Sequence, residues 1–276
     1  MASNTADGVL MLRDGEIWTR AGYADATWRE KAAQILAKGA GWEQDPQARL
    51  AFFAALLHDE DPFVRHVATD ELSRAPYDAI RAMTRPVTGE VAQRALADKA
   101  QIPWRGFFIL MLGLSDRPED RALVRDRIAA AQRYGGVGEL DAWATALVEI
   151  YGAAGVERLA TGWFDRPDSS TEELRAVISA LAAHGRYGDP ALRPRILEVL
   201  AAVPSLRPDV VGSVATALAR IGDFTRAHAI RSAVSRAPGK MPVRIDPAEL
   251  FAASSYVYQA RQTGIVTASS EQENRK

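Results

Sequence analysis

The sequence predicts an all-α fold in which helix pairs stack as an α-solenoid behind a short N-terminal β-hairpin. Three observations predict it. From Asp25 onward apolar residues recur at helical spacing through almost the whole chain. The segments so defined are joined by short loops, and no long linker divides them. Helix pairs recur about every 40 residues, the period of helical-repeat arrays. The expected organisation is a hairpin segment over residues 1–24, the helical array over 25–264, and a polar, aperiodic, disordered tail over 265–276.

The elements follow in order. Residues 9–21, VLMLRDGEIWTRA, read as two strands joined by Asp14-Gly15, a pair that favours the type I′ hairpin turn. Two strands alone are marginal in water. The hairpin is therefore expected either to dock its apolar face on the first helix near Trp28, capping the array, or to be the remnant of an upstream β-domain. Asp25 caps a helix carrying Trp28, Ala32, Ile35 and Leu36 and ending at Gly39. The next helix pairs Phe52 with Leu56 and Phe53 with Leu57. Asp61 then caps a helix that begins at Pro62, where a missing N–H costs little, and Val64, Ala68 and Leu72 form its buried stripe. Downstream, IPWRGFFILMLG, RPEDRALVRDRIAAAQRYGG, LDAWATALVEIYG, VERLATGWF, TEELRAVISALAAHG, RPRILEVLAAV, RPDVVGSVATALARIG and DFTRAHAIRSAV each carry a helical period. DPAELFAASSYVYQARQTG opens with Asp246 and Glu249 in capping-box spacing.

Composition narrows the function. Of 276 residues, 47% are hydrophobic and 25% charged, the balance of a water-facing globular chain. The net charge of −1 argues against a dedicated nucleic-acid binder, whose affinity rests on phosphate neutralisation. Basic residues are 29 Arg and 5 Lys, a usage that reads as a GC-rich genome unless the arginines cluster. No cysteine is present, so disulfides, thiolate metal sites and a cysteine nucleophile are excluded. No apolar run approaches the ~20 residues of a membrane span. The opening MASNTADG has neither the basic nor the apolar region of an export signal; an exported or periplasmic place is favoured over a cytoplasmic one if a leader or upstream domain has been trimmed.

LLHDEDPFVRHVATDEL, residues 56–72, resembles the turn of a HEAT repeat: Leu56, Leu57, Asp61, Pro62, Val64, Arg65, Ala68 and Leu72 fall on that family's pattern. The resemblance implies a right-handed α-solenoid of HEAT-like (armadillo-like) helix pairs, with Asp61 and Arg65 stacking between repeats and satisfying backbone groups. LARIGDFTRAHAIRSAV is similar to the helix junction of a tetratricopeptide repeat, with Gly222 and Ala227 in matching positions. PWRGFFILMLGLSDRPEDRALVR and LVEIYGAAGVERL resemble HEAT-like proteins that some bacteria export, a likeness that implies no activity.

Chemistry-bearing clusters read mostly as structure. His58, Asp59, Glu60, Asp61 and His66 contain metal-ligand types, yet acids at a helix start serve as caps. YGGVGEL has three glycines before a helix but follows a helix, not a strand, so it reads as a loop and not a phosphate cradle. Asp116, Asp120 and Asp126 interleave with Arg117, Arg121 and Arg125 as a solvated stripe of mixed sign. Arg186, Arg193, Arg195 and Arg207 form a less compensated basic group. Trp104, Arg105, Phe107 and Trp163 combine the residue types that dominate binding hot spots, although rings at helix starts mostly pack on a neighbouring helix. The expectation is a non-enzymatic scaffold that binds a protein or peptide with the concave face of the array, needs no cofactor or metal, and neither binds nucleic acid specifically nor enters a membrane. Candidate contact residues are Trp104, Arg105, Phe107, Trp163, Arg186, Arg193 and Arg195. The alternatives are a HEAT-like DNA-repair glycosylase and a small-ligand-handling solenoid enzyme.

Overall fold

The computed structural model describes residues 8–14, 16–83, 87–136, 138–236 and 245–263, so the expected tail lies outside the described residues. The described chain is predominantly helical, with fourteen α-helices and one pair of strands. It divides into two compact units, Met1–Val87 and Thr88–Lys276, so the run of helices expected over residues 25–264 is split between them.

In the first unit β1 (Gly8–Asp14) pairs antiparallel with β2 (Ile17–Ala24), with a register irregularity at Leu10/Met11. Val9, Met11, Ile17 and Trp18 are exposed. α1 (Ala26–Gly39) begins where the Asp25 carboxylate accepts from the Trp28 N–H at 2.8 Å. The buried Trp28 ring meets Phe63 nearly edge-on at 5.1 Å. α2 (Pro46–Leu56) packs on α3 (Pro62–Ser73) through Leu50, Phe53 and Leu56 on one side and Val64, Ala68 and Leu72 on the other. Leu57, expected in that core, is instead half-buried at the C-cap of α2. α4 (Tyr77–Ala82) closes the unit with Ile80 buried.

The second unit contains α5 (Gly89–Ala97), a 3-10 turn over Lys99–Trp104, α6 (Arg105–Gly113), α7 (Pro118–Tyr134), α8 (Leu140–Tyr151), α9 (Ala153–Leu159) with a π-turn over Ala160–Phe164, α10 (Thr171–Tyr187), α11 (Arg193–Leu206), α12 (Val211–Ile221), α13 (Ala227–Arg236) and α14 (Pro247–Gln262). α4 and α5 are short and are not among the helices expected from the sequence. α5, α6, α8, α10, α12 and α14 pack in a row, each on the next. α7, α9, α11 and α13 lie against this row from the other side of each pair. α6 is buried all round from Phe107 to Gly113, which explains its continuous apolar sequence.

Two glycines set the spacing of the row. A Cβ on Gly113 of α6 would stand 2.6 Å from the Ala146 Cα of α8. On Gly212 of α12 it would stand 2.6 Å from the Glu249 Cα of α14. Both are closer than packed atoms approach, so side chains there would force the helices apart.

Leu72→Ala is expected to cost about 2–5 kcal/mol in urea unfolding, the range for emptying a fully buried leucine site. Leu57→Ala should cost less than half as much, since the side chain already meets solvent. Gly212→Ala should lose about 1–3 kcal/mol by overpacking; an unchanged midpoint would show that α12 and α14 do not approach as described.

Candidate functional site

The three aromatic candidates are inside the fold. Trp104, Phe107 and Trp163 are buried, at 7%, 5% and 1% exposure. Their rings fill the space between stacked helices and present no face to a partner, which corrects their candidacy as contact residues.

The arginines serve backbone carbonyls. Arg186 donates to the Arg220 carbonyl at 2.8 Å, and Arg193 to the Ile221 carbonyl at 3.0 Å. Both carbonyls belong to the last turn of α12, where no intrahelical donor remains. Arg195 holds both Glu157 oxygens, at 2.5 and 2.9 Å, and Glu198 at 3.0 Å. The Arg195 guanidinium keeps the Glu157 carboxyl below its usual range. Arg207 holds both oxygens of Asp209, at 3.0 and 2.8 Å. The group expected to be under-compensated is thus engaged by distant Glu157, by nearby Glu198 and Asp209, or by helix ends. Arg166 likewise donates to the Gln132 carbonyl at the end of α7.

The turn before α3 uses the same device. The Asp61 carboxylate accepts from the Phe63 N–H at 2.8 Å, and the Asp59 carboxylate from the Asp61 N–H at 3.0 Å. Pro62 occupies the first helical position, where no donor is needed. Arg65 donates to the Asp59 and Glu60 carbonyls at 2.7 and 2.8 Å. The Asp61 N–H and nearby Lys31 hold the Asp59 carboxyl below its ordinary value. Among the described residues no three His, Asp or Glu side chains gather as metal ligands would.

Two buried carboxylates escape sequence reading. Asp120, expected on a solvated stripe, has 0% exposure. It accepts from the Ser115 hydroxyl and the Gln93 amide, each at 2.6 Å, and so ties the α6–α7 turn to α5. Glu249, expected to close a capping box, turns inward at 5% exposure. Its carboxylate accepts from Arg175 at 3.1 and 2.9 Å and from the Ser213 hydroxyl and N–H at 2.6 and 2.7 Å, joining α10, α12 and α14. Asp246 alone caps α14, through the Ala248 N–H at 2.7 Å. The reciprocal capping box is at Ser170 and Glu173, ahead of α10. Buried His184 places Nε2 2.9 Å from the Thr145 carbonyl, across α8 and α10.

The recess with most chemical character lies among α5, α6, α7 and α8. Its volume is about 620 Å³, and Gln93, Arg105, Leu123, Arg127, Glu139 and Trp143 contribute to its wall. Arg105 opens α6 and is only partly exposed. Its guanidinium has one long contact, to the Leu96 carbonyl at 3.5 Å, and its buried Nε–H has no acceptor. Arg127 is exposed and makes no ion pair among the described residues. Gly135 and Gly136 take positive φ, 67° and 64°, and so does Glu139, at 55°, a conformation unusual for a residue with a side chain. Gly136, Gly138 and Glu139 form part of the wall of this recess. The loop's positive φ values were foreshadowed by the glycines; the convergence of Arg105 and Arg127, 22 positions apart, was not.

Among the described residues no helix is long and apolar enough to cross a membrane. Comparison with protein-family models, characterised proteins and solved structures yields no match.

Arg175→Met should cost about 2–3 kcal/mol, because it leaves a buried carboxylate without its cation. Glu249→Gln should cost less, since the half-exposed guanidinium of Arg175 can return to water. Equal, sub-0.5 kcal/mol losses (roughly the scale of an ordinary surface change) would place the pair at the surface. For Asp59 the folded carboxyl titrates below its ordinary value of 3.8, so its contribution is complete above that pH and is lost as pH falls through the lower folded value. Asp59→Asn should flatten that acid limb of a stability–pH curve; an unchanged limb would remove Asp59 from the account.

Proposed function

We propose that the chain is a non-enzymatic protein-interaction scaffold, a right-handed α-solenoid of HEAT-like helix pairs that holds a protein or peptide on the concave face of its stacked helices. The observation that carries this reading is the row α6, α8, α10, α12, α14, in which each helix lies on the next. Helix pairs that cannot bury their apolar faces alone stack in this way and create an extended binding surface. The row helices meet more extensively than α9, α11 and α13 meet one another, and such unequal spacing curves a stack toward its tighter side.

Of the candidate contact residues, Arg186, Arg193 and Arg195 remain exposed where α10 ends and α11 begins. Each has engaged only part of a five-donor guanidinium with the fold, and arginine is enriched in binding hot spots. Phe251 and Tyr258, seven positions apart on α14, are 76% and 62% exposed and add aromatic surface at the last helix of the row. A DNA-repair glycosylase draws less support: Trp104 and Trp163 are enclosed, and Glu157, Glu198 and Asp209 neutralise the arginines that would meet phosphates.

The test is reconstitution with a partner captured from the native source and then purified. The Arg186→Ala/Arg193→Ala double variant should bind it at least roughly tenfold more weakly, the cost of about 1.4 kcal/mol of contact, with an unchanged helical circular-dichroism spectrum. Duplex DNA should bind no tighter than the non-specific range of about 10⁻⁴–10⁻⁶ M at physiological salt. A nanomolar gel shift would overturn the scaffold reading in favour of the nucleic-acid one.

A further inference from the structure

We propose that the recess among α5, α6, α7 and α8 is a binding site for a carboxylate carried on an apolar or aromatic group, held by Arg105 and Arg127. Other arginines that reach across helices have at least one acceptor at 3.0 Å or less: Arg193 and Arg186 at the end of α12, Arg195 on two glutamates, Arg207 on Asp209. Arg105 differs. It opens a helix whose next turn is wholly buried, its Nε–H lies buried without an acceptor, and its only described bond is 3.5 Å long. The terminal nitrogens of Arg105 thus keep donor capacity that the described fold engages only through that long contact. The same recess contains Arg127, which no acid among the described residues engages.

The remaining wall defines the rest of the ligand. Leu123 and Trp143 present apolar and aromatic surface, and a volume of about 620 Å³ suits a small molecule or a terminal peptide residue. Two guanidiniums set against the Glu139 carboxylate leave a single positive charge, which suits a monoanion better than a phosphate dianion. Gly136, with positive φ, and the left-handed Glu139 lie on this rim. The carboxylate would come either from a free small acid or from the C-terminus of a peptide. The site does not depend on the scaffold reading, and either can fail without the other.

Calorimetric titration of the full chain with 3-phenylpropionate should give saturable binding, while 3-phenylpropionamide and inorganic phosphate should bind at least roughly tenfold more weakly, as expected when a charge-assisted bond is lost. Arg127→Gln and Arg105→Gln should each weaken the acid by a similar factor, whereas Arg195→Gln should not. Should Arg105→Gln fail to fold, Glu139→Gln gives an independent reading, because removing the rim's negative charge should tighten the acid. A peptide ending in a free Phe carboxylate, compared with its amidated form, separates the sources. Tighter binding of the free-ended peptide than of 3-phenylpropionate assigns the site to a peptide terminus, and the reverse assigns it to a small acid. No saturable heat with either, equal binding of acid and amide, or indifference to both the Arg127 and Glu139 substitutions would overturn the proposal and leave ordered water as the recess's only occupant.

Discussion

The packing of the second unit turns on the Glu249 carboxylate. A carboxylate at 5% exposure is unfavourable unless its oxygens are fully paired. Here Arg175 of α10 and both the hydroxyl and N–H of Ser213 on α12 pair it, so three helices are tied at one point. That arrangement requires α12 and α14 to lie unusually close, and Gly212 permits it by having no Cβ to meet the Glu249 backbone. The bond and the small residue are therefore one constraint. At the other end of the row Gly113 and Ala146 allow the same approach between α6 and α8 without a buried charge.

Around that row, arginine does most of the finishing work at helix ends. The last carbonyls of a helix lack intrahelical donors, and a planar guanidinium can satisfy two of them while its stem lies along apolar surface. Arg186 and Arg193 each serve one such carbonyl of α12, Arg166 serves one of α7, and Arg65 serves two in the turn after α2. An arginine-rich composition with little net charge is then a structural statement: the forks face carbonyls and acids of this chain. Arg105 is less well served, since the end of α5 offers it a single distant carbonyl.

Helical periodicity made most of the second unit legible, as did the Asp61-Pro62 start of α3. Short-range rules work where the partner lies within a turn, as for Asp25 and Trp28 or Asp246 and Ala248. They fail where a distant helix competes for the same side chain. Glu249 has capping-box spacing, but Arg175 and Ser213, 74 and 36 positions away, offer it stronger partners than its own helix start. Asp120 sits in an alternating charge stripe, yet Gln93 and Ser115 draw it inside. Nothing local distinguishes an exposed Trp104 from one enclosed by its neighbours. α4 and α5 are short and draw their stability from packing, which a linear pattern does not record.

Hydrogen–deuterium exchange on the intact chain tests most directly whether the helix row, pinned at Glu249, organises the second unit. The slowest amides should be shared by α8, α10 and α12, with α9, α11 and α13 exchanging faster. Glu249→Gln should accelerate exchange in α14, α12 and the first turns of α10 while leaving α6 and the start of α8 unchanged. Protection concentrated in α9, α11 and α13, or a Glu249→Gln effect spread evenly over all helices, would contradict it.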